Sequence, residues 1–374
     1  MKTTNRILLV LFFVVVALPL PAQESSSWVR RTLGRLIAPV SKLDTTAVYV
    51  LPPRWNAALL GDLHQTSVSQ TFSFERQGQP VLLESSLREG LYTGAGVAFG
   101  YGGLTLSYSH QLGRDAVSSK SNSLDWCGSG YGLQVAYYDI RQPLEYMLQT
   151  GAEGDPERQI TCGTSAYPGQ LKMVVGEGLY ALNRKTFSYC AAYKGNQVQR
   201  RSAGSWMLSV KYFQGELVHD SREMTSSMLY GLTRLATAQG SIGAGYSYNF
   251  VALHRQGAGS DWRSIRNLTF NLTALPMLIV YDRHLVTRTV TDPASGKESS
   301  QTTHRLNASP HLNYVARAGI GYNWGHCFLG LSGRYDVFSS GGTTKLVGSG
   351  VAVDVKTAGH FNKWSAAMNF RLKF

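Results

Sequence analysis

The chain has 374 residues and a formal net charge of +13, with 43% hydrophobic residues. Beyond the N-terminus no apolar run approaches the roughly 18 residues that a membrane helix needs, which excludes helical membrane spans. A basic protein inside the cell would suggest a nucleic-acid partner, but an exported chain rarely meets one. We therefore expect no nucleic acid and look instead to lipid head groups and anionic solutes.

The N-terminus has the three parts of a secretory signal peptide. Lys2 and Arg6 precede the apolar run Ile7–Leu18, and Leu20–Ala22 forms a small-residue cleavage site. This order predicts a signal peptide over residues 1–22, with an N-terminal anchor helix as the alternative. Removal of the two basic residues lowers the formal charge from +13 to +11.

Residues 23–53 form a predicted periplasmic segment that begins with a short amphipathic helix, Gln23–Lys42. Trp28, Leu33 and Ile37 share one helical face, and three arginines lie off it. Such a helix suits a membrane surface or a plug, and it suits a solvated linker equally well.

From Trp55 the hydrophobic period changes to two residues. In the last segment Trp364, Met368 and Phe374 share one face, while Lys363 and Arg371 lie on the other. A sandwich shows the same alternation, but strands of about ten residues, aromatic residues near strand ends and a terminal Phe favour a membrane barrel. The predicted fold is an all-β, antiparallel, up-and-down transmembrane barrel of about 12 strands over residues 54–374, placed in a bacterial outer membrane.

The predicted strands leave short turns on one side and long polar loops on the other, as outer-membrane barrels do. Tight turns are expected at Gly102, Arg141–Gln142 and Trp324–Gly325. The predicted strands are 55–74, 90–100, 103–112, 129–140, 143–151, 169–182, 203–215, 238–251, 264–281, 309–323, 326–338 and 362–374.

One connection on the short-turn side is long, basic and aromatic: residues 183–202. It could fold into the lumen as a plug whose arginines meet inward acids such as Glu145, Glu177 or Asp336. It could instead lie at the surface against a periplasmic or envelope protein, or be a solvated turn near lipid phosphate. The candidate residues of the segment and its exit are Asn183, Arg184, Phe187, Tyr189, Arg200, Arg201, Ser202 and Gly204.

Strand parity predicts a basic lumen. The cations assigned to the inward face are Lys172, Lys211, Arg317, Arg334, Lys363, Arg371 and Lys373. Few acids are expected opposite them, so the lumen would favour anionic solutes. The alternative is that these cations pair with the inserted segment or with each other through water.

The segment also carries a family resemblance. The runs Leu182–Lys185, Phe187–Tyr189, Ala191–Ala192 and Gln199–Ser205 resemble a Bacteroidota outer-membrane family catalogued as domain of unknown function 4421. Asp44-Thr45-Thr46 resembles its entry motif, and Cys190 stands where the family would have Pro. The resemblance extends from Asp44 to the chain end, and it implies an outer-membrane setting without an activity.

Four cysteines in an exported chain can form disulfides. The predicted topology places Cys127 and Cys162 in neighbouring outer loops, and Cys190 and Cys327 at the periplasmic end. We therefore predict a Cys127–Cys162 bond and, as the weaker prediction, a Cys190–Cys327 bond.

The sequence lacks the common catalytic motifs. GxSxG, HExxH and paired carboxylates are absent, and the cysteines and histidines are not clustered as metal ligands. We expect no enzyme activity, metal or cofactor, although His110, Asp282 and His284 lie near the outer rim. The leading hypothesis is a porin-like pore or transport barrel in contact with membrane lipid and lipopolysaccharide. A structural barrel of an envelope or secretion assembly is the alternative, and a rim hydrolase of lipid or polysaccharide comes third.

Overall fold

A computed structural model describes residues 43–53, 55–76, 78–88, 91–112, 120–128, 130–151, 154–218, 232–257, 261–291, 298–307, 312–348 and 351–374. The predicted signal peptide and the predicted helix Gln23–Lys42 lie outside these residues. In the described part, no helix has the length and apolar character needed to cross a bilayer.

The described chain is almost entirely β-structure, with short 3-10 turns at Tyr189–Ala192 and Trp262–Ser264. The strands are β1 Val48–Val50, β2 Trp55–Arg76, β3 Gln79–Arg88, β4 Tyr92–Tyr101, β5 Leu104–Gln111, β6 Lys120–Cys127, β7 Tyr131–Thr150, β8 Gln159–Ala181, β9 Gln197–Gln199, β10 Ala203–Val218, β11 Leu232–Arg255, β12 Arg266–Thr291, β13 Glu298–Asn307, β14 Leu312–Trp324, β15 Cys327–Gly348 and β16 Val351–Lys373.

Twelve of the described strands close into an antiparallel ring. Its order is β2–β4–β5–β6–β7–β8–β10–β11–β12–β14–β15–β16, and β16 pairs back onto β2 from Lys373↔Asn56 to Lys356↔Ser73. Closure pairs every wall strand on both sides, which is what a sheet needs inside a bilayer. The predicted twelve-strand barrel is confirmed.

The two faces of the wall are chemically opposite. On β10, Trp206 and Val210 point outward and are more than 60% exposed, whereas Ser209 and Lys211 point inward and are buried. An apolar outer face and a polar inner face match lipid outside and a polar lumen inside. The chain is an outer-membrane β-barrel. Because such barrels have their short turns on the periplasmic side, we call its tight-turn end the periplasmic end.

Two strand predictions were wrong: one strand was divided into two, and another strand was missed. The two errors cancel, so the predicted number of strands is still twelve. Residues 129–140 and 143–151 are one strand, β7, because Arg141–Gln142 pairs with β8 rather than turning. The missed strand is β6, whose inward face (Ser121, Ser123, Asp125) is polar. Its only large apolar outward residues are Leu124 and Trp126, so its alternation is weak.

The predicted outer loops are largely strand as well. Beyond the ring, β3 pairs with β2 and β7, and β13 pairs with the end of β12. The β15–β16 hairpin continues to Gly348↔Val351. At the periplasmic end a small separate sheet joins β1 to β9.

Candidate functional site: the filled lumen

Residues 183–202 turn back from the end of β8 and enter the barrel. Phe187, Cys190, Ala191 and Ala192 are each 0% exposed. The segment contacts inward groups of strands that lie on opposite sides of the ring, such as Gly132 on β7 and Phe328 on β15. A segment in contact with opposite walls lies inside the lumen. We call residues 183–202 the inserted segment.

Asparagines on the inner wall hold the backbone of the inserted segment. Asn249 Nδ2 donates to the Ser188 carbonyl at 2.7 Å, and Asn267 Nδ2 donates to the Gln199 carbonyl at 2.7 Å. Asn271 Oδ1 accepts the Tyr193 hydroxyl at 2.6 Å. The buried polar groups of a segment without regular structure are thus satisfied by the wall, as burial requires.

Glycines make room for the segment at two points. Gly195 has φ +66°, and a Cβ there would lie 2.3 Å from Phe328 Cγ. On β14 a Cβ at Gly319 would lie 2.6 Å from Tyr193 Cε1. Both sites exclude any larger residue while the segment keeps this position.

A disulfide bond joins the inserted segment to the wall. It links Cys127, at the end of β6, to Cys190, with the Cα atoms 6.0 Å apart. Both predicted pairings are therefore wrong: Cys162 and Cys327 are free. The error follows from the missed strand, because β6 carries Cys127 down to the periplasmic end.

The arginines of the inserted segment do not enter the lumen. Arg184 stacks on Tyr180, Arg200 lies over the Tyr49 ring at 4.8 Å, and Arg201 pairs with Asp44 at 2.6 Å. The expected contacts with Glu145, Glu177 and Asp336 are wrong, since these arginines flank the buried core of the segment.

The remaining predicted segment residues shape its entry and exit. Asn183 accepts the Thr186 hydroxyl at 2.8 Å and donates to the Gly204 carbonyl at 3.0 Å. Ser202 Oγ accepts the Val251 amide at 2.9 Å.

Asp44 links the start of the described chain to Arg201. The Thr46 hydroxyl donates to its carboxylate at 2.5 Å, and this hydrogen bond lowers the Asp44 pKa below its usual value. The nearby Arg201 guanidinium lowers it further. The charged form of Asp44 therefore persists at neutral pH and keeps Arg201 at the periplasmic surface.

A buried ion-pair network crosses the lumen above the inserted segment. Glu177 on β8 pairs with Arg317 and with Arg334, the latter at 2.9 Å. Asp336 pairs with Arg334 and with Lys211, each at 2.5 Å. Arg317 also donates to the Tyr189 hydroxyl and so links the network to the inserted segment. Charges this buried are stable only when paired, so the network fixes the walls to each other.

The network also corrects the prediction that few acids face the cations. Lys211, Arg317 and Arg334 share two carboxylates, and Lys172 points outward on β8. Arg371 and Lys363 do point inward and have no ion-pair partner among the described residues.

An apolar layer closes the lumen on the outer side of the network. The Phe213 ring lies 4.6 Å from Phe338 and 5.2 Å from Phe361, between centroids. Inward aliphatic side chains complete the layer: Val68, Leu87, Ile140, Leu144, Leu171, Met173 and Leu217. A further cluster around Phe72, Phe74 and Leu83 fills the outer hairpins.

Between the inserted segment and the apolar layer lies a polar cavity of about 280 Å³. Its walls come from β2, β4 to β8 and β14 to β16, and Tyr189, Tyr193 and Lys194 form its floor. Arg317, Arg334 and Arg371 reach it, as do Asp62, Asp125 and Glu177. Four of the seven predicted lumen cations thus line one cavity: Arg317, Arg334, Lys363 and Arg371.

Of the three predicted rim residues, Asp282 and His284 contact each other and His110 lies apart from them. His284 Nε2 lies 3.2 Å from Asp282, and its Nδ1 lies 3.2 Å from Thr237 Oγ1. His110 is exposed on the outer face of β5 and does not join them. Among the described residues, no group of three or more acids, cysteines or histidines is arranged to hold a metal ion.

Sequence reasoning missed the groups that receive the inserted segment. Asn267 and Asn271 stand in the run Asn-Leu-Thr-Phe-Asn-Leu-Thr, which shows only strand alternation. The role of their inward amides is visible only when the backbone of the inserted segment lies beside them. The signal in the sequence that could have indicated these contacts is the presence of asparagine, in place of Ser or Thr, at inward positions of the strand.

A family model described as "Domain of unknown function (DUF4421)" matches residues 49–346. No curated protein matches the sequence.

Among solved structures, the outer membrane protease OmpT from Escherichia coli aligns with 87% of this chain and 98% of its own, at 8% identity and a TM-score of 0.43. The β domain of the Bordetella autotransporter BrkA aligns with 84% of this chain and 99% of its own, at 12% identity and a TM-score of 0.29. The translocator domain of NalP from Neisseria meningitidis covers 93% of this chain and 96% of its own, at 12% identity and a TM-score of 0.29.

Proposed function

The chain belongs to the DUF4421 family and forms an outer-membrane barrel, and we propose that this barrel is a gated transport protein in its closed state. The inserted segment is the periplasmic gate, and the layer of Phe213, Phe338 and Phe361 is the outer gate. A solute passes when both move.

The observation that carries this proposal is the position of the polar cavity between two closures of different chemistry. A barrel that serves only as a scaffold gains stability from a filled lumen, because buried charges and polar space cost free energy. Here five cationic and three anionic side chains line a space of about 280 Å³. A polar compartment of this kind favours a solute pathway over a solid core.

Flux through reconstituted barrels tests the proposal. The opened variant lacks residues 186–199 and carries Phe338→Ala and Phe361→Ala. We expect slow uptake of a small anion into wild-type proteoliposomes and at least a tenfold faster uptake through the opened variant. An opened variant that folds, as judged by its heat-dependent gel mobility, and still passes no solute would refute the proposal.

The second candidate is a structural barrel that docks an envelope protein. It is favoured by the ordered periplasmic surface, where the β1–β9 sheet carries Arg200 over Tyr49 and Arg201 beside Asp44. Crosslinked partners that are lost in an Arg200→Ala, Arg201→Ala variant with unchanged flux would favour this role.

A further inference from the structure

We propose that the cavity is a binding site for one hydroxylated organic anion of about monosaccharide size, such as a sugar acid or a sugar phosphate. The proposal names the solute class of the transport barrel and in that respect rests on the proposed function. Binding itself requires no transport and can be measured alone.

The first argument is charge. Apart from His64, the lining has two more cationic than anionic side chains. Lys211 and Asp336 complete the ion-pair network outside the lining and leave this excess unchanged. Lys194 is paired with Asp125 at 3.1 Å, and Arg317 and Arg334 share Glu177. The ion-pair network thus keeps one positive charge in excess, and Lys363 and Arg371 add two more against the single carboxylate of Asp62.

These two cations lack carboxylate partners within the described residues although both are over 90% buried. Lys363 Nζ lies 3.1 Å from the Tyr138 ring centroid. Arg371 donates to Asn56 and to Thr105, and its Nε is buried without a hydrogen-bond partner. An unpaired buried cation is costly, and an anion beside it removes that cost.

The second argument is the set of hydroxyl-binding groups that surrounds the cations. Asp62, Ser109 and Asn369 line the cavity, and each has one buried oxygen without a hydrogen-bond partner, namely Asp62 Oδ1, Ser109 Oγ and Asn369 Oδ1. Asp62 also has no ion pair among the described residues. A carboxylate, an amide oxygen and a serine hydroxyl accept hydrogen bonds from ligand hydroxyls. A simple inorganic anion has no hydroxyl groups to donate and would leave these acceptors unsatisfied. A hydroxylated anion pairs with the cations through its charged group and with the acceptors through its hydroxyls.

The third argument is size and aromatic lining. A cavity of about 280 Å³ lies just below the range for drug-sized ligand sites, roughly 300–1,000 Å³, and so has room for one small ligand. Tyr138, Tyr189 and Tyr193 belong to the lining. Such rings pack against the C–H faces of a sugar ring while the polar groups bind its edge.

Equilibrium dialysis of the purified full-length barrel in detergent tests the proposal, with glucuronate and glucose 6-phosphate as probes. We expect at least one of them to bind at a 1:1 ratio, and acetate and glucose to bind at least tenfold more weakly. Arg371→Gln and Lys363→Gln should each weaken binding at least tenfold, and Asp62→Asn at least threefold. Lys172→Gln, which removes an outward cation, is the matched control and should leave binding unchanged.

The Phe338→Ala variant separates a closed entrance from a missing site. If neither probe binds to wild type or to this variant, the proposal is overturned. Binding that persists unchanged in both Arg371→Gln and Lys363→Gln also overturns it. Binding without flux would refute the transport role alone, and flux without binding would refute this inference alone.

Discussion

Loss of the Cys127–Cys190 bond should destabilise the barrel and loosen the inserted segment. The bond closes a loop with a sequence separation of 63 residues. In the chain-entropy model a loop of this length gives about 4 kcal/mol at 25 °C, and engineered cases deliver less. We therefore expect a Cys127→Ser, Cys190→Ser variant to lose about 2–4 kcal/mol of free energy of unfolding.

Urea unfolding in lipid vesicles, followed by tryptophan fluorescence, measures this loss. The matched control is Cys162→Ser, Cys327→Ser, because both cysteines are free. The control should change the free energy of unfolding by less than about 0.5 kcal/mol. A loss below about 1 kcal/mol in the first variant, or a peptide map that joins Cys127 to Cys162, would refute the reasoning.

Three further perturbations probe the lumen and its periplasmic end. Glu177→Gln leaves Arg317 and Arg334 with less compensating charge and should lower the free energy of unfolding by about 3–5 kcal/mol in the same urea assay. The control is Glu216→Gln, which removes the partner of half-exposed Arg234 and should lower it by less than about 1 kcal/mol. Gly319→Leu places a side chain where Tyr193 lies and should displace the inserted segment, so that trypsin cleaves faster after Lys194. The matched control is Gly333→Leu, because a Cβ at Gly333 would lie 3.9 Å from the Ser365 carbonyl oxygen and has room. Equal cleavage rates in the two variants would contradict the packing. Because the Asp44 pKa is lowered in the folded state, its stabilising link to Arg201 is present above the usual carboxyl pKa and is lost as pH falls through the lowered value. Hydrogen exchange of the Val198 amide should therefore rise below pH 4 relative to Asp44→Asn, after correction for intrinsic exchange, and a parallel pH dependence in both proteins would contradict it.

The barrel could be predicted from the sequence because its physics is local. Alternation such as Trp206, Leu208 and Val210 against Ser205, Ser209 and Lys211 follows from a wall between lipid and a polar interior. The weak strand β6 could not be recognised in this way. Because this strand was missed, Cys127 was assigned to an outer loop instead of the periplasmic end, and the predicted disulfide was therefore wrong.

A plug in the lumen was one of three interpretations of residues 183–202, and the sequence could not decide among them because the outcome depends on contacts between distant segments. The basic run drew attention to residues 183–202, yet the most deeply buried part of the segment is the uncharged stretch Phe187–Ala192. Arg200 and Arg201 stay outside with Tyr49 and Asp44. Composition marks the segment as unusual, and only the positions of Asn249, Asn267 and Gly319 show where it lies.

The same limit applies to the cations. Inward parity was correct for Lys211, Arg317, Arg334 and Arg371, but parity alone does not show which carboxylates meet them. Glu177 and Asp336 come from β8 and β15, which are far apart in sequence. The ion-pair network and the polar cavity arise from ring closure itself.

The most direct test of the account is single-channel conductance in planar bilayers, with the wild-type barrel compared with the opened variant. We predict that wild type is closed for most of the record, with brief openings, and that the opened variant conducts steadily. A wild-type barrel with a large and continuous open-pore current would contradict the closed lumen. An opened variant that folds but carries no current would show that the lumen is a solid core and would contradict a gated pathway.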